Sequence, residues 1–544
     1  MKKSSIFLRL LALCLWPMFG YSQSKSGDAI VAGDGVAVTS TNNGQVRGYI
    51  HNGTFNYKGI PYATAKRFMA PEKPAAWQGI RQSLVYGAVC PIDPTTTVND
   101  PIEFAFQHNW GYMSEDCLKL NVWTPGINDQ KRRPVMVWLH GGGFAAGSAI
   151  ELPSYDGENL SKKGDVVVVS INHRLNLLGF LNLSAYGDKY KSSANVGMMD
   201  IVSALQWVKQ NIASFGGDPD NVTIFGQSGG GGKVTTLMAA PSAKGLFQKA
   251  IVQSGSYQTK FMDVEVSKKI GAAMLEVLNL QPSQVDSLQT ISYERLSAAA
   301  KKALPKVAAQ LKAEGKPIAG FGLGWEPVND GVFLPYQLND PAAQELSKNV
   351  PLLVGSTKTE FMASLINPAI RSYSLDDVKG ALKKRYGDKT DTYMAEVLKA
   401  YPNTIKPSDY MDIDLATFRP GVIRQANAKA VSGAAPVYMY QFAWASPVND
   451  GMYKSVHCID ICFEFNNIAR CEEMTGGGKE AYTLAGKMSQ AWVNFARTGN
   501  PNAKGLPNWP AYTADNGAAM IFDNQSEVKY HNDAALLKLA AENK

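Results

Sequence analysis

Val222-Thr223-Ile224-Phe225-Gly226-Gln227-Ser228-Gly229-Gly230 decides how the rest of the chain is read. A short strand-like run enters Gly-x-Ser-x-Gly, and Lys233 to Ala240 behind it has a helical pattern. A serine between strand and helix sits on a sharp turn that only small neighbours allow. That turn lifts the hydroxyl clear and aims it at the helix N-terminus. The pentapeptide alone is a weak signal, since any glycine-rich turn with one serine matches it. A phosphate cradle is the other use of such a loop, but no Gly-Lys-Ser/Thr follows. The flanking strand and helix therefore favour a nucleophile at Ser228.

Working outward, the same kind of strand recurs. Val135–Leu139, Asp165–Ile171, Ala250–Val252, Pro351–Val354 and Pro436–Phe442 are short apolar runs without polar alternation. Such runs read as strands covered on both faces. Helical patterns lie between them, as in Asp200 to Phe215, where Ile201, Ala204, Leu205, Val208 and Ile212 form one stripe. The alternation predicts an α/β fold with a large, mostly parallel, twisted sheet and helices on both faces. Working groups then collect at the C-terminal ends of the strands. One such end carries His140-Gly141-Gly142-Gly143-Phe144. Consecutive glycines leave backbone N–H groups free to face a ligand closely, which suits an oxyanion hole. Residues 261–315, rich in Ala and Lys, read as a helical insertion. No repeat or low-complexity linker divides the chain, so 23–544 reads as a single domain.

Composition narrows the function. The 544 residues are 45% hydrophobic and 19% charged, the balance of a folded globular chain. The net charge is +7, but Lys2, Lys3 and Arg9 crowd the N-terminus and no Lys/Arg run stands out. A nucleic-acid partner is not indicated. The six histidines form no His-x-x-x-His pair, which argues against a helical zinc-hydrolase site. Met1-Lys2-Lys3, the mostly apolar Ile6 to Gly20, and Gly20-Tyr21-Ser22 read as a secretory signal cleaved near Ser22. Arg9 interrupts the stretch and it is too short to span a bilayer. Leu13 before Cys14 fits a lipidation site poorly. No later stretch approaches ~18 uncharged apolar residues, so stable membrane insertion is not expected. The mature protein is expected to be secreted or periplasmic, where disulfides are permitted.

Longer motifs carry a resemblance. Gly48, Phe55 to Ala63 with Arg67-Phe68, Ser114 to Trp123, His140 to Ser148, Asn172-His173-Arg174-Leu175, Phe215 to Pro219, Ala491 to Ala496 and Trp509-Pro510 span most of the mature sequence. Together they are similar to the type B carboxylesterases, the cholinesterase-like α/β-hydrolases, and to their bacterial p-nitrobenzyl-esterase-like branch. The resemblance implies a serine carboxylesterase acting on small-molecule esters through an acyl-enzyme, with no metal or organic cofactor. Amidase, lactone hydrolase and carbamate hydrolase are alternatives on the same machinery. A non-catalytic binding protein is a further one, disfavoured because the triad positions are intact.

Residue by residue, the resemblance makes Ser228 the nucleophile, His457 the general base and Glu360 the acid, with Gly142, Gly143 and Gly229 supplying oxyanion N–H groups. The chain order Ser, acid, His is that of the α/β-hydrolases. Asp460 and Asp330 compete as acids. His531 lies in a polar tail and reads as a surface residue; His140 and His173 read as structural groups near the site. The resemblance also implies a Cys90–Cys117 disulfide. Cys458, Cys462 and Cys471 form an odd set, so one pair and one free thiol are expected, with the pairing open. The sequence departs from the family where Gln227 replaces Glu, Gly229 replaces Ala, Asp460 replaces Glu, and Cys458 and Cys462 stand in place of Gly and Pro. Pocket walls are expected from loops 99–113, 316–335 and 361–372. Phe104, Phe106, Trp110, Phe321 and Trp325 there point to an apolar acyl or alcohol group.

Overall fold

The computed structural model describes residues 29–93, 100–316, 318 and 322–543. The expected signal segment, Cys14 included, and Phe321 lie outside them. The main sheet has eleven strands. In chain order they are β1 Tyr49–His51, β2 Thr54–Pro61, β3 Lys119–Thr124, β4 Arg133–Leu139, β5 Val167–Ile171, β6 Gly217–Gln227, β7 Lys249–Gln253, β8 Leu352–Thr357, β9 Val437–Phe442, β10 Ala518–Phe522 and β11 Glu527–Tyr530. Side by side they run β11-β10-β9-β8-β7-β6-β4-β5-β3-β2-β1. Every neighbouring pair from β5 across to β10 is parallel. The pairs toward both edges are antiparallel. This is the large, mostly parallel sheet that the alternation predicted, and it is the α/β-hydrolase fold that the resemblance implied.

The apolar runs are continuous because both faces are covered. Val135, Val137 and Leu139 of β4 enter one core, Met136 and Trp138 the other. The split repeats with Ala250 and Val252 against Ile251, and with Leu352 and Val354 against Leu353. That is the period of two of a strand. Each fully buried Val, Leu or Ile contributes about 1.5–3 kcal/mol relative to exposure.

Helices around the sheet and its working edge include α1 Val196–Asn211, α2 Gly229–Met238, α3 Val264–Val277, α4 Tyr293–Ala313, α5 Phe418–Ser432 and α6 Lys479–Thr498. α1 buries Ile201, Ala204, Leu205 and Val208 on one face of the sheet. α6 buries Leu484, Met488, Ala491 and Trp492 on the other. α1 starts earlier than the predicted Asp200 and gives way at Ile212–Phe215 to a tighter turn, stopped by Gly216 at φ 73°. α3 and α4 form the predicted helical insertion, each begun by a side-chain cap, Asp263 and Ser292.

The register aligns the chemistry. Leu139 of β4 pairs with Gly226 of β6, Gln227 with Gln253 of β7, Gln253 with Gly355 of β8, and Thr357 with Phe442 of β9. The loops leaving these strands therefore emerge along one edge, which is where the motifs lie.

Candidate active site

Ser228 stands between β6 and α2 at φ 56° and ψ −123°. Non-glycine residues rarely hold this region, at a cost of order 1–3 kcal/mol. The turn is held by the Ser228 N–H donating to the Gln253 carbonyl at 2.8 Å and by its carbonyl accepting from Gly232 N–H at 2.9 Å. α2 begins directly at Gly229, earlier than the predicted Lys233, so four glycines make up its first turn. Close packing explains two of them. A Cβ at Gly230 would lie 1.9 Å from the Leu139 carbonyl oxygen, and one at Gly229 would lie 2.3 Å from the Gly143 carbonyl oxygen. The departure at Gly229 thus lets the 140–149 loop close directly onto the start of α2.

That loop presents Gly142 at φ 80° and Gly143 at φ 62°. Among the described residues, no group accepts from the N–H of either. Gly229, first in α2, has an N–H without an intrahelical partner by the geometry of a helix start. The motif Asn172-His173-Arg174 braces this loop. Asn172 Oδ1 accepts the Ala149 N–H at 2.8 Å, and Asn176 N–H donates to the Phe144 carbonyl at 2.8 Å. Arg174 is pinned by a buried two-point pair with Asp200, at 2.8 and 2.7 Å. Breaking one member of such a pair costs about 3–5 kcal/mol.

Glu360 follows β8 at φ 44°, and its carbonyl accepts the His457 N–H at 3.1 Å. Its Oε1 accepts from Ser254 Oγ–H at 2.6 Å and from Thr357 N–H at 2.9 Å. Its Oε2 pairs with His457 Nδ1. Glu360 and His457 are both buried. Burial acts to depress the imidazole, but neighbouring Cys458 and Glu360 outweigh it, and the ring is held well above the ordinary histidine value. The other ring nitrogen, Nε2, lies 3.2 Å from Gln227 Nε2, whose Oε1 accepts from Cys458 Sγ–H at 3.2 Å. Among the described residues Ser228 Oγ makes no hydrogen bond. Catalytic hydrogen bonds often tighten only when substrate is bound.

The competing acids lie elsewhere. Asp460 Oδ2 accepts from Tyr440 Oη–H at 3.1 Å, and burial, helped by Glu360, pushes its carboxyl up to about 6. Asp330 caps the N–H groups of Val332, Phe333 and Leu334. His531 is exposed, with Nε2 at 2.8 Å from the Asp515 carbonyl. His140 and His173 stack at 5.1 Å, both buried and both depressed, mainly by burial.

The aromatics expected in the pocket walls lie in several settings. Phe106 is buried in the core around α6, Trp110 stacks on His108 at 4.9 Å, Trp325 packs on the other core, and Phe104 is half exposed. The rings against the base are instead Phe361 at 4.4 Å and Phe418 at 5.1 Å from His457. Phe361 fell within an expected loop; Phe418, on α5, gave no local signal. A cavity of about 420 Å³ beside Glu360 is lined by both, with Ile366, Tyr393 and Leu415. Ser254 was also missed, although it lies directly beyond β7.

Cys90 and Cys117 are free thiols, both buried, so the expected disulfide is not formed here. They are neighbours: the hydrogen bond with Cys90, then burial, pushes the Cys117 thiol well up and keeps it protonated. Of the odd set, Cys462 Sγ–H donates to the Ile459 carbonyl at 3.4 Å, while Cys458 faces Gln227. No described helix is long and apolar enough to cross a membrane. Among the described residues no cluster of three or more His, Cys, Asp or Glu could hold a metal ion.

The carboxylesterase family model matches residues 35–538. The chain is 38% identical over 503 residues to the para-nitrobenzyl esterase of Bacillus subtilis, covering 91% of this chain and 96% of that one. It is 32% identical to the phenmedipham hydrolase of Pseudarthrobacter oxydans, covering 90% and 95%. Among solved structures it is similar to an esterase from anaerobic Clostridium hathewayi that can hydrolyze aliphatic aromatic polyesters. There the TM-score is 0.84 and the identity 36%, over 95% of this chain and all of that one.

Proposed function

The chain belongs to the carboxylesterase family and hydrolyses carboxylic esters as a serine hydrolase, and we propose that Ser228, His457 and Glu360 are its catalytic triad, with Gly142, Gly143 and Gly229 as oxyanion donors. The single observation that carries the reading is the Glu360–His457 pair, held on loops from adjacent strands at the edge where Ser228 turns. Glu360 fixes the tautomer with Nδ1 protonated, leaving the Nε2 lone pair to act as base. When ester enters, the Ser228 O–H takes over the Nε2 position that Gln227 N–H occupies at rest. Ser228 Oγ attacks the carbonyl as its proton passes to His457. The three glycine N–H groups receive the oxyanion, and the alcohol leaves with the proton from His457. Water then repeats the path and frees the acid. The Phe361 and Phe418 rings against His457 favour esters with an apolar acyl or alcohol group.

We also propose that residues 1–22 are a leader removed on export and that Cys90 and Cys117 lose their two hydrogens to an oxidant outside the cytoplasm, forming a disulfide. Their adjacency supports this. Closing a loop of this size contributes ~3 kcal/mol in the chain-entropy model. Unreduced peptide mapping of exported protein should find the two linked; both thiols alkylatable would refute the pairing. For the triad, Ser228→Ala should abolish hydrolysis of p-nitrophenyl esters and labelling by a fluorophosphonate probe, with the circular dichroism spectrum unchanged. Wild-type turnover in that variant would overturn the assignment.

A further inference from the structure

One buried charge near the site takes no part in the acyl-transfer steps. Lys233 lies on α2, just beyond the glycine turn, and is fully buried. Its Nζ donates to the His140 carbonyl at 2.8 Å and reaches the Gly141 carbonyl at 3.4 Å. The Gly141 carbonyl is also met by His140 Nδ1 at 2.9 Å. Glu151 is the acid that acts on the ammonium, through space; burial is the stronger effect and pushes Lys233 down to about 7. The nearby imidazoles of His140 and His173 are depressed, mainly by burial, and among the described residues the Nε2 atoms of both are buried without a partner. A charged side chain is costly to place in such surroundings, so its targets are informative.

Those targets are the two carbonyls immediately before the oxyanion glycines. In a trans peptide the C=O and the following N–H point in opposite directions. Holding the Gly141 carbonyl toward α2 therefore turns the Gly142 N–H outward. Holding the His140 carbonyl fixes the peptide before it. The Gly142 and Gly143 N–H groups are left without acceptors among the described residues. The Gly142 carbonyl, on the peptide of the Gly143 N–H, is held within the loop by the Ala145 and Ala146 N–H groups at 3.3 and 3.0 Å, whereas Gly142 at φ 80° has wide conformational freedom of its own and the Gly141 carbonyl before it is held by Lys233 and the His140 ring.

We infer that Lys233 is a positioning residue of the oxyanion hole: its Nζ–H groups clamp the His140 and Gly141 carbonyls and so aim the Gly142 N–H at the position where the oxyanion forms. The inference rests on the proposed oxyanion role of Gly142 and Gly143.

The test uses the full chain with Lys233→Met, which keeps the stem and removes donor and charge, and Lys233→Gln, which keeps a donor. Turnover of p-nitrophenyl acetate and inhibition by a trifluoromethyl ketone, which forms the oxyanion adduct with serine, are measured together. Removing a direct oxyanion donor costs about 10²–10³ in kcat, so loss of its anchor should cost about 10–10². For Lys233→Met we expect that fall in kcat, KM changed less than about twofold, and ketone affinity reduced in step with kcat/KM. Lys233→Gln should fall between it and wild type. A purely structural lysine would lower the amount of active enzyme while leaving kcat per fluorophosphonate-titrated site and ketone affinity unchanged, and that result overturns the inference. If Lys233→Met fails to fold, Lys233→Gln decides the question through the same two readings. Ser228→Ala separates the layers. Inactive Ser228→Ala with fully active Lys233→Met refutes only the clamp; active Ser228→Ala refutes the triad beneath it.

Discussion

At the β8–β9 end of the catalytic edge, both Glu360 oxygens are occupied, by Ser254, Thr357 and His457, and the acid and base are buried. At the β4–β6 end, the Gly142 and Gly143 N–H groups have no acceptor among the described residues, and Ser228 Oγ makes no hydrogen bond there. The contrast reflects the different task of each end in the proposed mechanism. The acid must hold one imidazole tautomer before, during and after each step, so its contacts are made in the free enzyme. The oxyanion donors act on a charge that exists only in the transition state, and a partner in the ground state would have to be displaced. Fixed carbonyls behind the loop, held by Lys233, let its front remain open.

The sharpest way to break this comparison is to undo the finished half. Glu360→Gln keeps the shape but favours the wrong tautomer, and should lower kcat by ~10²–10⁴, as removal of a triad acid does. Asp460→Asn should cost clearly less, because Asp460 bonds Tyr440 and has no contact with His457 Nδ1. Steady-state kinetics with both variants folded by circular dichroism decides it. The reverse ranking would mean that the acid is Asp460.

A smaller effect is expected one contact further out. Ser254→Ala removes one of two donors to Glu360 Oε1 but leaves the Thr357 N–H. A hydrogen bond to a charged group contributes about 1.5–3 kcal/mol; with half of the cradle intact, we expect about a tenfold loss in kcat and little change in KM. Full activity would show that Thr357 alone fixes the acid.

The two halves also differ in how far they can be read from the chain. Ser228 and the 140–143 glycines announce themselves because a turn of that kind needs small residues in sequence, next to a strand with an apolar run. The sheet itself is legible for the same local reason, since burial on both faces writes itself into consecutive residues such as Val135–Leu139. Glu360 and His457 are reached only by resemblance, because one acid and one histidine on separate loops carry no periodicity. Their surroundings are not legible. Phe418 reaches His457 from α5 through tertiary packing, and Phe106 and Trp110 suggest a pocket only because an aromatic residue looks alike in a core and in a wall. Lys233 reads as an ordinary helical lysine, since nothing local marks the carbonyls it reaches.

The smallest expected effect lies where the two halves touch. Gln227 belongs to the elbow, yet its amide nitrogen lies 3.2 and 3.4 Å from the ring nitrogens of His457. The imidazole is already held well above the ordinary histidine value, and it must be neutral to take the serine proton. kcat/KM should therefore rise with pH along an acid limb whose midpoint lies above ~6.5, the unperturbed value. Gln227→Glu would set a second carboxylate against the ring. An opposite charge within about 4–6 Å favours the charged form by one or more pH units, so the limb should move upward by about one unit. The high-pH plateau of kcat should stay within about threefold, since neither Glu360 nor the oxyanion glycines are touched. A limb that stays in place would show that Gln227 lies away from the base in the working enzyme. A limb that moves down would mean that the new carboxylate binds its own proton and leaves the imidazole less stabilised than the amide did.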